Sequence, residues 1–298
     1  MPSRWRGGWS SERRLQAGQA HPGIALWDSG RRLLADPRID AVVIATPART
    51  HFELALAALR AGKHVLVEKP LAATSEQAVI LIEESARRGL VLMVDHTFLY
   101  CPPVRAIRAL LDSAELGLPH YYLSARLNRG IVRDDINVLW DVAIHDLSVL
   151  DHLVPTAPVA VQATDLSPEG GGVERLAALT LSYETGFLAH LSASWIAPAK
   201  VRRVVIGGSE RTLVYDDLAA ADRVAVWENG VATRRLPLDP VEPLLEVIRE
   251  FAACIGSGAQ PLSGGAMGLR LVRQLEAADI SMRNGGRIVE LDREGVPA

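Results

Sequence analysis

The sequence predicts an α/β domain on a parallel sheet over residues 1–102, followed by an α+β domain with a large open, mainly antiparallel sheet over 103–298. Three observations carry this reading. Short, continuous apolar runs alternate with helical patterns from Asp40 to Pro102. The Pro102-Pro103 pair then ends that alternation. From Val159 to Leu236, long strands of alternating polarity are joined by turns.

In the first unit, Ala41-Val42-Val43-Ile44-Ala45 is β-branched at its centre and stopped by Pro47, the pattern of a strand covered on both faces. Thr50 and Glu53 have capping-box spacing, and Phe52, Leu56 and Leu59 follow at helical intervals up to Gly62. His64–Glu68 is a second apolar strand. Thr74 and Gln77 repeat the capping box before a helix that buries Ala78, Leu81, Ile82, Ser85 and Ala86 and stops at Gly89, and Val91–Val94 is a third strand. This alternation implies right-handed βαβ crossovers and a parallel sheet.

In the second unit, a helix from Val104 to about Leu111 leads into a strand, Tyr121 to Leu127, and another helix begins near Leu139. Leu179, Leu181 and Tyr183 alternate with Thr180 and Ser182. After a bend at Thr185-Gly186, the alternation continues through Phe187, Ala189, Leu191, Ala193 and Trp195. Asn229-Gly230 between two apolar runs signals a two-residue hairpin. Two amphipathic helices, about Glu242–Ile255 and Ala266–Arg283, offer cover for one face of the sheet, and Asn284-Gly285 ends the second.

Composition narrows the function. At 298 residues with 49% hydrophobic and 22% charged side chains, the chain can bury a core without metal or disulfide staples. With 32 Lys and Arg against 35 Asp and Glu, no basic surplus points to nucleic acid or an anionic membrane. Cys101 and Cys254 are far apart and form no C-x-x-C. No apolar run approaches the ~18 residues of a bilayer span, and no apolar core follows the early arginines as in a signal peptide. The expectation is a cytoplasmic protein without metal, nucleic-acid or membrane partners. H-E-x-x-H, P-loop and G-x-S-x-G patterns are absent, and the glycines at 170–172, 207–208 and 264–265 make no G-x-G-x-x-G.

Two places could carry chemistry. Glu68-Lys69-Pro70 and Ala45-Thr46-Pro47 leave neighbouring strands at the carboxyl edge, where open α/β sheets bind ligands. Lys69 there could present an oriented ammonium, although Glu68 and Lys69 also read as a solvated ion pair. His51 follows in the first helical turn, where amide donors can face a ligand. The second place is Trp140–Asp146. Asp141 and His145 are spaced i, i+4, with Ser148 and His152 continuing the same stripe. A carboxylate one turn from an imidazole suits a general acid/base, and an exposed polar helix face would look the same. Asp146 and Asp151 fall elsewhere around the helix and read as solvent or cap residues. His96, directly after a strand, could approach the cleft but reads as structural.

These pieces, in this order, resemble the Gfo/Idh/MocA family of oxidoreductases, from about Arg14 onward. Ala45-Thr46-Pro47 with His51, Glu68-Lys69-Pro70, and Asp141 with His145 carry the resemblance. Val94–Phe98 and Asn137–Asp141 are most similar to members acting on nucleotide-linked sugars or cyclic polyols. The resemblance implies a Rossmann-like first domain and an NAD- or NADP-dependent dehydrogenase acting on a ring hydroxyl. Ala45, Thr46, Pro47, His51, Glu68 and Lys69 would line the cofactor. His145 would be the general base, Lys69 would hydrogen-bond the reacting oxygen, and Asp141 would orient the substrate or His145. The second-domain sheet would make a homo-oligomer. Leu15–Asp36 would correspond to the family's helix end, third strand (Ile24–Trp27) and next helix, whereas Met1–Glu12, with Trp5, Gly7, Gly8 and Trp9, matches nothing in the pattern. The family's opening strand, G-x-G-x-x-G turn and acidic strand end are not in the written sequence, so the first domain reads as N-terminally truncated. The alternative is a shortened, non-catalytic relative that serves as a sugar-binding or partner subunit.

Overall fold

The first sheet is organised around a strand that has no exposed side. β2 (His64–Glu68) lies between β1 (Ala41–Ile44) and β3 (Leu92–Asp95), parallel to both, and its Val65, Leu66 and Val67 are fully buried. The computed structural model describes residues 11–130, 132–167 and 172–297. The segment with Trp5, Gly7, Gly8 and Trp9, and glycines 170 and 171, lie outside the described residues. α3 (His51–Arg60) and α4 (Ser75–Arg88) make the two crossovers. Thr74 caps α4, with Gln77 N–H donating to Thr74 Oγ1 at 3.3 Å, and the Gln77 side chain reaches back one residue further, accepting from Ala73 N–H at 3.2 Å.

Two local expectations fail. Thr50 does not cap α3, because a 3₁₀ turn over Ala48–Thr50 runs directly into the helix and leaves Thr50 in helical conformation. Residues 24–27 form no strand between α1 (Ser11–Ala20) and α2 (Gly30–Leu34), and Ile24 and Leu26 are exposed. A strand needs a ladder partner, and the segment pairs with none of the first sheet's strands: among the described residues nothing pairs with the far edge of β1, where Val43 is 58% exposed.

After β3, a 3₁₀ turn over Thr97–Tyr100 leads into α5 (Pro102–Asp112). β4 (Pro119–Arg129) follows, then a π-helical turn over Leu139–Ala143 that continues as α6 (Ile144–Leu153). The remaining strands are β5 (Ala160–Asp165), β6 (Leu176–Ser182), β7 (Leu188–Ser194), β8 (Ile196–Gly208), β9 (Thr212–Asp216), β10 (Val224–Glu228) and β11 (Val231–Arg235). α7 (Pro243–Ser257), α8 (Gly265–Arg283) and the short β12 (Val289–Glu290) close the chain. The nine strands are ordered β11-β10-β9-β8-β4-β7-β6-β5-β12, antiparallel except at β4–β7. Asn229 and Gly230 both have positive φ, as the predicted two-residue hairpin requires.

One face of this sheet packs on helices. Tyr122, Leu179, Leu181, Ala189 and Leu191 meet Leu147 and Leu150 of α6 and Leu271 and Leu275 of α8 in one core. α8 also reaches back to the first unit: Ser75 N–H donates to Glu276 Oε1, and the segment before α8 bonds to Val94 of β3 through Ser263. These contacts tie α8 and the segment before it to α4 and the first sheet. No helix among the described residues is long and apolar enough to cross a membrane.

Candidate active site

β1 and β2 end in register, Ile44 opposite Val67, so Ala45-Thr46-Pro47 and Glu68-Lys69-Pro70 leave the carboxyl edge side by side. The first of these loops is tied internally. Thr50 Oγ1 donates to Pro47 O at 2.7 Å, which leaves Thr46 to donate to Thr50 Oγ1 at 2.7 Å. His51 joins the two loops. Its Nδ1 is 2.7 Å from Pro70 O and its Nε2 is 2.9 Å from Thr46 O, with the residue 1% exposed. Carbonyls only accept, so the neutral ring donates to one and the protonated ring to both. Burial lowers the His51 pKa against the raising effect of the two carbonyls. The ring of His51 therefore joins the two rim loops through backbone carbonyls. Glu68 stands beside Asp95 in register, and burial, then that neighbouring carboxylate, push its pKa up.

Lys69 crosses to the second domain. Its ammonium donates to Asp141 O at 2.5 Å and to Asp141 Oδ1 at 2.9 Å. Asp141 sits in the π-helical turn, where Asn137 Oδ1 accepts from the Leu139 and Trp140 amides. Asp279 of α8 holds this turn from behind, accepting from Asn137 Nδ2 and Trp140 Nε1, each at 2.9 Å. The other Asp141 oxygen accepts from Trp195 Nε1 at 3.0 Å, and Arg133 Nε lies 3.2 Å from Oδ1. Burial pushes the Asp141 carboxyl up, but the Lys69 ammonium, Arg133 and the Trp195 bond outweigh it and hold the pKa below the usual carboxylate range. An ammonium has three N–H donors; two are committed to Asp141 and the third is available to a ligand.

His145 opens α6 directly after that turn. Its pKa is driven well below the ordinary imidazole value by burial, then by the charges of Lys69 and Arg126, and by His96 and Arg202. Its Nδ1 is buried without a hydrogen-bond partner, and Asp141 does not reach it. The expected Asp141–His145 pair is therefore corrected. An i→i+5 turn takes Asp141 off the α-helical spacing, and its carboxylate serves Lys69 instead. The ring of His145 is packed by Phe98, edge to face at a centroid distance of 5.1 Å. The Arg126 guanidinium lies over the Phe98 ring, 4.3 Å from its centroid, and forms a bidentate pair with Asp146 at 2.8 and 3.2 Å. Asp146 is 3% exposed and so is no solvent residue, and Asp151 pairs with Arg270. The polar stripe does not continue as one site, since Ser148 turns its hydroxyl onto His145 O.

Two family models match the chain. The oxidoreductase-family model described as an NAD-binding Rossmann fold covers residues 9–96, and the GFO/IDH/MocA C-terminal domain covers residues 104–214. The chain belongs to the Gfo/Idh/MocA oxidoreductase family. A UDP-N-acetylglucosamine 3-dehydrogenase from Acidithiobacillus ferrooxidans is 34% identical over 202 residues, which is 67% of this chain and 62% of that protein. A solved structure of a UDP-N-acetylglucosamine 3-dehydrogenase from Acidithiobacillus ferrooxidans superposes with a TM-score of 0.82 at 28% identity, covering 92% of this chain and 87% of the other. A D-apiose dehydrogenase from Paraburkholderia graminis is 27% identical over 308 residues, 94% of this chain and 80% of its own length.

The residues present fit the nicotinamide cofactor of the Gfo/Idh/MocA family at the rim. Ala45, Thr46, Pro47 and Glu68 line the carboxyl edge of parallel strands, the position where such sheets bind dinucleotides, and Lys69 projects from it toward the second domain. Sequence reasoning missed the Arg126–Asp146 pair, Phe98, Trp195 and Arg133. One signal was available. Tyr122, Ser124 and Arg126 occupy the inward positions of an alternating strand, and an arginine there requires a buried carboxylate opposite it.

Proposed function

We propose that this chain is an NAD(P)-dependent dehydrogenase that oxidises a ring hydroxyl of a sugar, nucleotide sugar or cyclic polyol. The observation that carries this reading is an anchored ammonium with one uncommitted donor, held electrostatically close to a neutral imidazole whose Nδ1 is buried without a partner. When bound at the rim, the nicotinamide supplies the hydride acceptor. His145, neutral because burial and neighbouring cations disfavour its charged form, accepts the proton of the substrate hydroxyl. Lys69 donates its third N–H to the same oxygen and stabilises negative charge as it develops there. Asp141 acts through Lys69: two hydrogen bonds from one ammonium to one residue fix its direction. Trp195 and Arg133 keep that carboxylate in place.

The substrate class follows the names of the relatives, which are dehydrogenases of a nucleotide sugar, an apiose and, in a Bacillus subtilis protein, scyllo-inositol. The outward face of β4 and β7 exposes Tyr121, Leu123 and Leu188 together, which favours a homo-oligomer joined through that sheet. The test is to incubate the purified chain with NAD⁺ or NADP⁺ and UDP-N-acetylglucosamine, scyllo-inositol or D-apiose, following the absorbance of reduced nicotinamide. Turnover of at least one is expected. Calorimetric binding of a sugar with neither turnover nor binding of NAD(H) would instead favour a sugar-binding or partner subunit.

A further inference from the structure

His96 stands beside Lys69 and takes no part in the mechanism above. β2 and β3 are parallel with Glu68 opposite Asp95, so the next residue of each strand, Lys69 and His96, emerges at the same level of the carboxyl edge. The His96 ring is 1% exposed, and neither Nδ1 nor Nε2 has a hydrogen-bond partner. Burial, and then the charge of Lys69, lower its pKa to about 3, so the ring is neutral, with one bare N–H and one bare lone pair. Buried polar atoms are nearly always satisfied, and leaving both ends of an imidazole unpaired is costly. The same sheet edge shows how the fold treats a structural histidine, because each ring nitrogen of His51 has a carbonyl within reach.

We propose that His96 is a substrate-binding residue, hydrogen-bonded to a hydroxyl adjacent to the one oxidised, so that the site selects vicinal diols. This rests on the dehydrogenase reading above. The reacting oxygen gives its proton to His145 and takes a charged donor from Lys69, which leaves little for a neutral imidazole to add there. A neighbouring hydroxyl both donates and accepts, and so suits either tautomer of His96.

Two measurements on the full chain test this. First, kcat/KM is determined for wild type and His96→Leu with whichever of UDP-N-acetylglucosamine, scyllo-inositol and D-apiose is oxidised, and with its analogue lacking the neighbouring hydroxyl. Removing either partner is expected to cost about 10–100-fold, and removing both little more than one. Losses that multiply, or an unaffected variant, would overturn the assignment. Second, thermal unfolding needs no substrate. A ring unpaired in the free protein predicts that His96→Leu melts at or above the wild-type temperature, and a fall of several degrees would overturn the proposal by showing a structural histidine. If wild type oxidises no probe, the dehydrogenase reading fails, and the melting comparison still decides whether His96 is unpaired.

Discussion

His51 is buried and His145 half-buried, and the protein uses the two rings in opposite ways. At the rim, the His51 ring lies between two backbone carbonyls and holds the Thr46 and Pro70 loops at fixed spacing. On α6, His145 is packed by an aromatic edge, and its Nδ1 has no partner. One ring is tied to backbone at the rim; the other keeps a nitrogen without a partner. The carboxylates divide similarly. Asp146 is consumed by Arg126 in the interior, whereas Asp141 holds an ammonium that keeps a donor to spare.

The comparison is broken most sharply by removing the groups with unspent capacity. Lys69→Met and His145→Leu should each lower kcat by about 10²–10⁴-fold, the range for loss of a positioned proton or charge partner, with a smaller change in substrate binding. Steady-state kinetics with a binding titration check this, and near-normal kcat in either variant would contradict the assigned role. Next in size is Asp146→Ala, which strands the Arg126 guanidinium in the interior and should cost about 3–5 kcal/mol in urea unfolding. Stability within ~0.5 kcal/mol of wild type would show that the pair is not buried as described.

His51→Leu should cost about 1–3 kcal/mol of stability by leaving rim carbonyls unpaired, and should weaken NADH binding through the displaced loop. The contrast with His96→Leu, expected to keep its melting temperature, is the sharper form of the same comparison. The smallest effect is on pH. The His145 pKa is lowered, so the base stays unprotonated as pH falls through the ordinary imidazole range near about 6.5. The kcat/KM profile for oxidation should then show no acid limb there. A limb centred near that value would mean that His145 titrates as an exposed imidazole.

Much of this was legible in the residues. Apolar runs at 41–45 and 64–68 marked the parallel strands, Asn229-Gly230 marked its hairpin, and the Thr74 box marked the start of α4, because each is a local preference that the fold leaves unopposed. Lys69 and Asp141 stood out as candidates, but their mutual contact joins residues 72 apart and has no local signature. The π-helical turn was invisible in the i, i+4 spacing of Asp141 and His145, so their relation was misjudged. Asp146 was misplaced because a helical wheel shows which face it occupies but not what that face meets, here an inward arginine from a distant strand. Residues 24–27 had strand-like composition, and composition does not supply a pairing partner.

The central claim is that Lys69 and His145 address one substrate oxygen from opposite domains. The direct test is a crystal structure of the ternary complex with cofactor and the oxidised or reduced substrate. The account predicts one oxygen within about 2.6–3.2 Å of both Lys69 Nζ and a ring nitrogen of His145. An oxygen contacted by only one of them, or a substrate seated away from both, would contradict it.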